Sequence, residues 1–560
     1  MSPMSLEELS REDLLTRVKE LEARLKKNQK YGLVWESKEE QVVLDCKDKY
    51  PILKRVEDRS IRGGVGPMNY LIEGDNYHAL KILQYTHKGK IDVIYIDPPY
   101  NTGNKDFIYN DDFVDKEDGY RHSKWLSFME RRLKLAKELL KDTGVIFISI
   151  DDNEQAQLKL LCDGVFGERN FISLFPRLTV KGGKTQSLFN TSNIDYVYVY
   201  SKDINKSRFN KLLVKDDNAF KYKDKYFDER GFYHTKQSLD SVSLGYVKSL
   251  DYPINHEGVT YYPGGVIENN GYRWTWSKDK LDFAIKNDFV EFKNGRIWPK
   301  KYLLASIEKD KNGYYIKYED RVKNYSQLTF IENLYSNTNG TNTLRELDVT
   351  DFNNAKPVDL IKTICEMSGS KSSIILDFFA GSGTTGHAVL ELNKQDGGNR
   401  QFILVTNNGD EKSEHKIAEN ITYERLKRVM RGYTNKKGEK VEGLGGNLDY
   451  MRCEFIDKID HQDSMRLKIT ENCLDTIMFK EGNDKIIKNT DDYTITSSTV
   501  LNMDNMTAIY KTWNDENIDK FKKDIEKINR PVNVYLNPFI DKDEFNYLDK
   551  VNIKNIQDII

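Results

Sequence analysis

The chain has 560 residues, 38% of them hydrophobic and 31% charged, a composition that fits a folded protein of several domains and argues against disorder. Its 86 basic and 88 acidic residues leave a net charge of −2, so the total gives no support for a nucleic-acid binder and leaves that role to local basic patches. Cys46, Cys162, Cys365, Cys453 and Cys473 are scattered without a C-x-x-C pair, which argues against a disulfide framework or zinc ribbon and fits a reducing cytoplasm.

The acidic start MSPMSLEELSRED is unlike a signal peptide, and no apolar run approaches the ~18–20 residues of a membrane span. Residues 5–30 read as one charged helix, with Leu14, Val18, Leu21 and Leu25 in a stripe too short to argue a coiled coil. Docking on its own domain and a dimer contact fit it equally. LIEGDNYHALKIL predicts a short strand and then an amphipathic helix, and KIDVIYIDPPY a strand apolar on both faces. WLSFMERRLKLAKELLK sets Trp125, Met129, Leu133, Ala136 and Leu140 on one helical face, with Thr143-Gly144 as its stop and GVIFISIDD as the next strand. Strand, helix, strand at these lengths predicts a parallel sheet. From about 168 to 345 the βα alternation is lost among Tyr, Lys, Asn, Gly and Asp, and 346–435 recovers it. There KPVDLIKTICEM reads as helix, SSIILDFFAGSGTTGHAVLEL as strand–glycine loop–helix, and RQFILVTN as strand. One parallel-sheet domain is thus split by an insertion, and a mixed α+β region follows from about 440.

Two strand ends carry the chemistry. In DFFAGSGTTG, Gly381 and Gly383 let the backbone turn tightly beside a ligand, and the helix start supplies free N–H groups. The P-loop lysine is missing, while G-S-G-T-T-G formally matches the dinucleotide spacing, so a nicotinamide-dependent oxidoreductase and an ordinary tight turn both stay open. In Asp97-Pro98-Pro99-Tyr100 the prolines end the strand. A rigid turn would suffice for that tetrapeptide alone, but ligands of doubly wound sheets sit at such strand ends, and here two motifs do.

D-P-P-Y followed by N-T-G, with F-x-G-S-G-T-T downstream, resembles DNA amino-methyltransferases that use S-adenosylmethionine, in the motif order called β. IDPPYNTGNKDFIYNDDF, WLSFMERRLKLAKELL and FISIDDNE resemble the modification (Mod) subunits of type III restriction–modification systems, over roughly 65–175 and 350–430. The resemblance implies an α/β, Rossmann-like methyltransferase core with circularly permuted motifs. It divides the chain into an N-terminal helical segment (1–45), a first core segment (46–167), a target-recognition domain (168–345), a second core segment (346–437) and a C-terminal interaction domain (438–560). Asp97, Pro98, Pro99 and Tyr100 would be catalytic. Asp377, Phe378, Phe379, Ala380, Gly381, Ser382, Gly383, Thr384 and Thr385 would embrace the cofactor, with Lys356-Pro357 and Asp75 beside them. The acid that relatives use for the ribose is replaced by Thr406, Asn407 and Asn408, of which Asn407 is the candidate.

The implied activity is methylation of adenine N6 in double-stranded DNA, in a homodimer that joins an ATP-dependent restriction (Res) subunit. A DNA-recognition scaffold with little activity of its own, and a cytosine-N4 methyltransferase, are the alternatives. Arg177, Lys181 and Lys184 in PRLTVKGGKTQ and Arg273 in GYRWTWSKDK suit phosphates or guanine edges, although a solvated turn and a buried tryptophan strand fit them as well. NLYSNTNGTNTLREL reads as a polar loop facing the active site. No metal is expected.

Overall fold

Runs of Ile, Val, Leu and Tyr build one mixed sheet: Lys49–Arg55 (β1), Met68–Glu73 (β2), Ile91–Ile96 (β3), Leu140–Ile150 (β4), Phe171–Leu178 (β5), Ile194–Ser201 (β6), Ile374–Asp377 (β7), Gln401–Thr406 (β8) and Asn447–Asp457 (β9). Its nine strands lie in the order β1-β9-β2-β8-β7-β3-β4-β6-β5. From β9 to β4 every pairing is parallel. β1, β6 and β5 add antiparallel edges. Covered on both faces, β3 buries every residue but Asp92, which explains its unbroken apolar run. The computed structural model describes residues 19, 35–37, 39–103, 107–110, 112–182, 191–214, 220–268, 271–349, 352–409, 416–498, 506–512, 517–545, 548 and 550–559. The stripe Leu14, Val18, Leu21 and Leu25 lies outside them.

Helices Asn76–Thr86 (α1), Arg121–Leu139 (α2), Asn337–Glu346 (α3), Val358–Ser368 (α4), Thr384–Asp396 (α5) and Tyr423–Arg431 (α6) accompany the sheet. α2 buries Trp125, Met129, Leu133 and Ala136 as its periodicity requires. It ends at Leu139 rather than at Thr143-Gly144. Leu140 already pairs with Ile91, and the register then shifts so that Val145 meets Val93. Gly144 serves that irregularity: a Cβ there would stand 2.9 Å from the Lys141 carbonyl oxygen and 3.0 Å from that of Ile91.

Two compact units emerge, 1–209 with 327–560, and 210–326. The second is narrower than the 168–345 segment, because β5 and β6 belong to the large sheet and α3 to the first unit. It is built of short antiparallel pairs around Tyr233, Trp274, Leu281, Ile297 and Tyr302. The last strand of the large sheet, β9, comes from the C-terminal region and inserts between β1 and β2. Beyond it, Lys485–Asn489, Tyr493–Ser497, Met506–Tyr510, Val532–Leu536 and Val551–Asn555 form a separate five-stranded sheet. Among the described residues no helix is long and apolar enough to cross a membrane, and the five cysteines are free thiols.

The third glycine of G-S-G-T-T-G acts in packing. Gly386 lies in α5, where a Cβ would fall 2.6 Å from Leu426 Cδ2 and 3.1 Å from Leu404 Cδ1. Gly386→Val is expected to cost about 1–3 kcal/mol by overpacking, read as a lower urea midpoint; an unchanged midpoint would overturn this account of the glycine.

Candidate active site

The parallel strands point their C-terminal ends the same way, which brings Asp75, Asp97, Asp377 and Asn407 to one side of the sheet. At the end of β7, Asp377 is buried and accepts hydrogen bonds from the Phe379 amide at 3.1 Å and the Thr385 hydroxyl at 2.5 Å. Gly381 and Gly383 take φ of +48° and +75°, a region that costs a side-chain-bearing residue strain. The turn is fastened from behind. Thr422 donates to the Gly381 carbonyl at 2.5 Å, and fully buried Arg425 on α6 donates to the hydroxyls of Ser382 (3.1 Å) and Thr384 (2.8 Å). Thr384 in turn donates to the Lys356 carbonyl at 3.1 Å.

The tetrapeptide after β3 is held as firmly. Trp125, buried on α2, donates its indole N–H to the Pro99 carbonyl at 2.7 Å. Asn101 sits at φ +57° and donates to buried Glu154 at 2.5 Å. His122 meets the same Glu154 oxygen at 2.6 Å. The Tyr100 hydroxyl donates to Asp195 at 3.1 Å. Among the described residues no donor reaches the Pro98 carbonyl. Asp97 receives the Lys356 ammonium at 2.6 Å on each of its two oxygens. That ammonium also stands 5.0 Å from the centre of the Tyr100 ring. Lys356, which the family resemblance puts on the cofactor wall, lines the cavity; its side chain binds the acid of the other motif, and its carbonyl takes the bond from the glycine loop.

Both motifs open into one cavity of about 1880 Å3, lined by Asp75, Asp97, Pro98, Pro99, Tyr100, Lys356, Phe378, Phe379, Gly381 and Asn407. Asp377, Ala380, Ser382, Thr384 and Thr385 are buried and shape the loop from inside. Gly383 caps α5, and Pro357 caps α4 with φ −69°. Asp75 caps α1 through the Tyr77 amide at 2.7 Å. Its neighbour Asn76 donates to the Phe378 carbonyl at 3.1 Å, tying the end of β2 to the glycine loop. The Asn407 side chain accepts from the Gly409 amide at 3.1 Å, and its carbonyl from Ala418 at 3.2 Å.

Several expectations change. The stretch that reads as a polar loop is helix α3, and Asn337, Thr338, Thr341, Asn342 and Arg345 line the cavity from it. Gly340 permits this: a Cβ would stand 2.0 Å from the Ala355 carbonyl oxygen, so the helix lies directly on the segment before Lys356. Ser336 at its N-cap and buried Leu344 and Leu347 were the signal for it. Arg177 does not face phosphates. It is fully buried and forks onto Asp195, because its place on β5 is opposite Asp195 on β6. Lys181 is exposed at a turn, and Lys184 lies outside the described residues. Arg273 is half-buried in a short strand beside buried Trp274. Trp125, Glu154 and Asp195 do not stand out as site residues in the sequence, since nothing in their local pattern points across the fold.

A strand-end acid and a glycine loop thus share one cavity whose lining mixes aromatic rings with acids, amides and hydroxyls. The "DNA methylase" family model covering N6 and N4 enzymes matches residues 91–424, and the chain belongs to that family. The Mod subunit of the type III enzyme EcoPI from Escherichia phage P1 is 33% identical over 383 residues, 60% of this chain and 57% of its own. The StyLTI Mod subunit from Salmonella typhimurium is 32% identical, covering 68% of this chain and 59% of its own. The type II methyltransferase M.KpnI from Klebsiella pneumoniae is 33% identical, covering 66% of this chain and 89% of its own. The chain therefore spans less than two thirds of the length of those two Mod subunits.

Burial pushes the Asp377 carboxyl up to about 7 from an ordinary 3.8, against the bonds from Thr385 and Phe379; nearby Asp97 pushes the same way and Lys356 opposes. A carboxyl whose folded value exceeds its unfolded one holds its proton longer when folded. Its contribution is therefore complete below about 4 and is lost as pH rises through about 7. Melting of the ligand-free protein is expected to fall more steeply between pH 5 and 8 for the wild type than for Asp377→Asn. Equal slopes would show that Asp377 does not titrate in this range.

Proposed function

We propose that the chain is a site-specific DNA methyltransferase that moves a methyl group from S-adenosylmethionine to adenine N6, as the modification subunit of a type III restriction–modification system. The observation that carries this reading is that Asp97, Pro98 and Tyr100 line one cavity with Gly381 of the glycine loop. On this reading the large sheet with its helices is a Rossmann-like core with circularly permuted motifs. The inserted segment reads DNA sequence, and the C-terminal region serves assembly with a second copy and a Res subunit. The names of the similar Mod subunits support the type III assignment.

The residues present fit the cofactor. Phe378 and Phe379 offer an apolar wall, Gly381 lets backbone come close without a side chain, and Asp75 and Asn407 offer polar groups on the same cavity. S-adenosylmethionine supplies an electrophilic methyl on a sulfonium. The protein's own task is to make a weak nucleophile ready. The lone pair of an adenine amine is delocalised into the ring. Asp97 and the Pro98 carbonyl accept its two N–H bonds, which draws the nitrogen toward tetrahedral geometry and localises the lone pair. Proline φ is fixed, and Trp125 pins the next carbonyl, so the acceptors do not drift. Asp97 also stands where the proton displaced from the methylated nitrogen leaves. Tyr100 stacks on the base, which leaves the duplex to reach the cavity; such stacking is worth ~1–3 kcal/mol per base.

Modified-base sequencing of DNA from cells expressing the wild type and Asp97→Ala tests this. The wild type is expected to leave N6-methyladenine at one sequence motif, and Asp97→Ala none. Methyl groups on cytosine N4, or identical adenine patterns from both, would sink the proposal.

A further inference from the structure

The carboxylate that holds the Tyr100 hydroxyl is itself held from behind, in a way the transfer chemistry does not call for. Asp195 on β6 faces Arg177 on β5 as a cross-strand pair. Arg177 meets it with a fork: Nε reaches one oxygen at 2.8 Å, and Nη2 reaches the oxygen that also takes the Tyr100 hydroxyl. The third guanidinium nitrogen, Nη1, donates to the Tyr335 carbonyl at 2.8 Å and to the Asn337 side chain at 3.0 Å. The Asn337 amide also donates to the Thr179 carbonyl at 2.9 Å. The chain leaves for residues 210–326 after β6 and returns through Tyr335 and Asn337, so both flanks of that excursion meet at Arg177.

We propose that Arg177 and Asp195 are positioning residues, a buried brace that fixes the plane of Tyr100 for the target base and ties it to the start of α3. This rests on the reading of Tyr100 as the stacking ring.

The pair is an unusual investment for stability alone. Arg177 has no exposed surface and Asp195 almost none, and burying two charges is favourable only when every donor and acceptor is matched. A guanidinium fork fills only part of the acceptor capacity of a carboxylate, and the Tyr100 phenol takes a further site on the oxygen that Nη2 also reaches. Burial, and after it Asp195, pushes the Tyr100 phenol well above its ordinary value, so the hydroxyl remains the donor at neutral pH. Without the bond the ring would keep its packing on the core but lose the anchor at its hydroxyl end. On the other side Lys356 stands against the ring and on Asp97, so the brace and the catalytic acid restrain the same aromatic group. α3, which begins at this junction, lines the cavity through Asn337 and Thr338.

A double-mutant cycle in the full chain tests the brace, on duplex DNA carrying the motif found by sequencing. Tyr100→Phe removes only the hydroxyl, and Asp195→Asn removes the charge but keeps the volume. Each single variant is expected to lower kcat about 10-fold, the scale of a hydrogen bond to a charged group. KM for S-adenosylmethionine is expected to stay within about twofold, and the double variant to be no slower than the slower single. Additive losses, or a rise in cofactor KM in place of the kcat loss, would overturn the brace. If Asp195→Asn does not fold, Tyr100→Phe decides alone: a 10-fold loss of kcat at constant cofactor KM supports it, and wild-type kcat overturns it. A wild type that methylates nothing removes the functional reading and the brace together, whereas a methylating wild type with an additive cycle removes only the brace.

Discussion

Lys356 is the contact on which the site depends. Its ammonium sits 2.6 Å from both oxygens of Asp97, a residue 259 positions away, and its carbonyl accepts a hydrogen bond from the Thr384 hydroxyl at the start of α5. One residue therefore joins the acid of the first motif to the glycine loop of the second. The lysine side chain is almost fully buried, and a buried ammonium without its carboxylate would be left uncompensated, so the two motifs are held in one arrangement. The paired charges also bear on Asp377, which feels Asp97 and Lys356 in opposite senses.

Around that contact, backbone groups at the strand ends are accounted for one by one. Trp125 takes the Pro99 carbonyl, Asn76 that of Phe378 and Thr422 that of Gly381. The Pro98 carbonyl, by contrast, has no donor among the described residues. Buried carbonyls are nearly always paired in folded proteins, and Pro98 is a buried residue on the cavity wall between Asp97 and Tyr100.

The elements nearest the chemistry are legible in the sequence. β3 announces itself by an apolar run stopped by prolines, and β7–α5 by a strand running into two glycines. The same reasoning fails where a glycine has another job. Gly144 reads as a helix stop but serves a register shift, and Gly340 disguises a helix as a loop, because it allows α3 to press on the Ala355 carbonyl. Arg177 reads as a surface cation because basic residues beside glycines usually are. Nothing local discloses that Asp195 stands opposite it.

Alternation, proline and glycine act within a few positions of the chain, so the residues that end the strands, and the side chains those ends carry, can be read without the fold. The partnerships come from the fold: Lys356 with Asp97, Trp125 with Pro99, and Arg177 with Asp195 and, through it, Tyr100. These follow from the order of strands in the sheet. β7 lies beside β3 although more than two hundred residues separate them, and β6 turns back against β4. Neighbours across a sheet are set by the whole of the packing, so no local period in the chain records them.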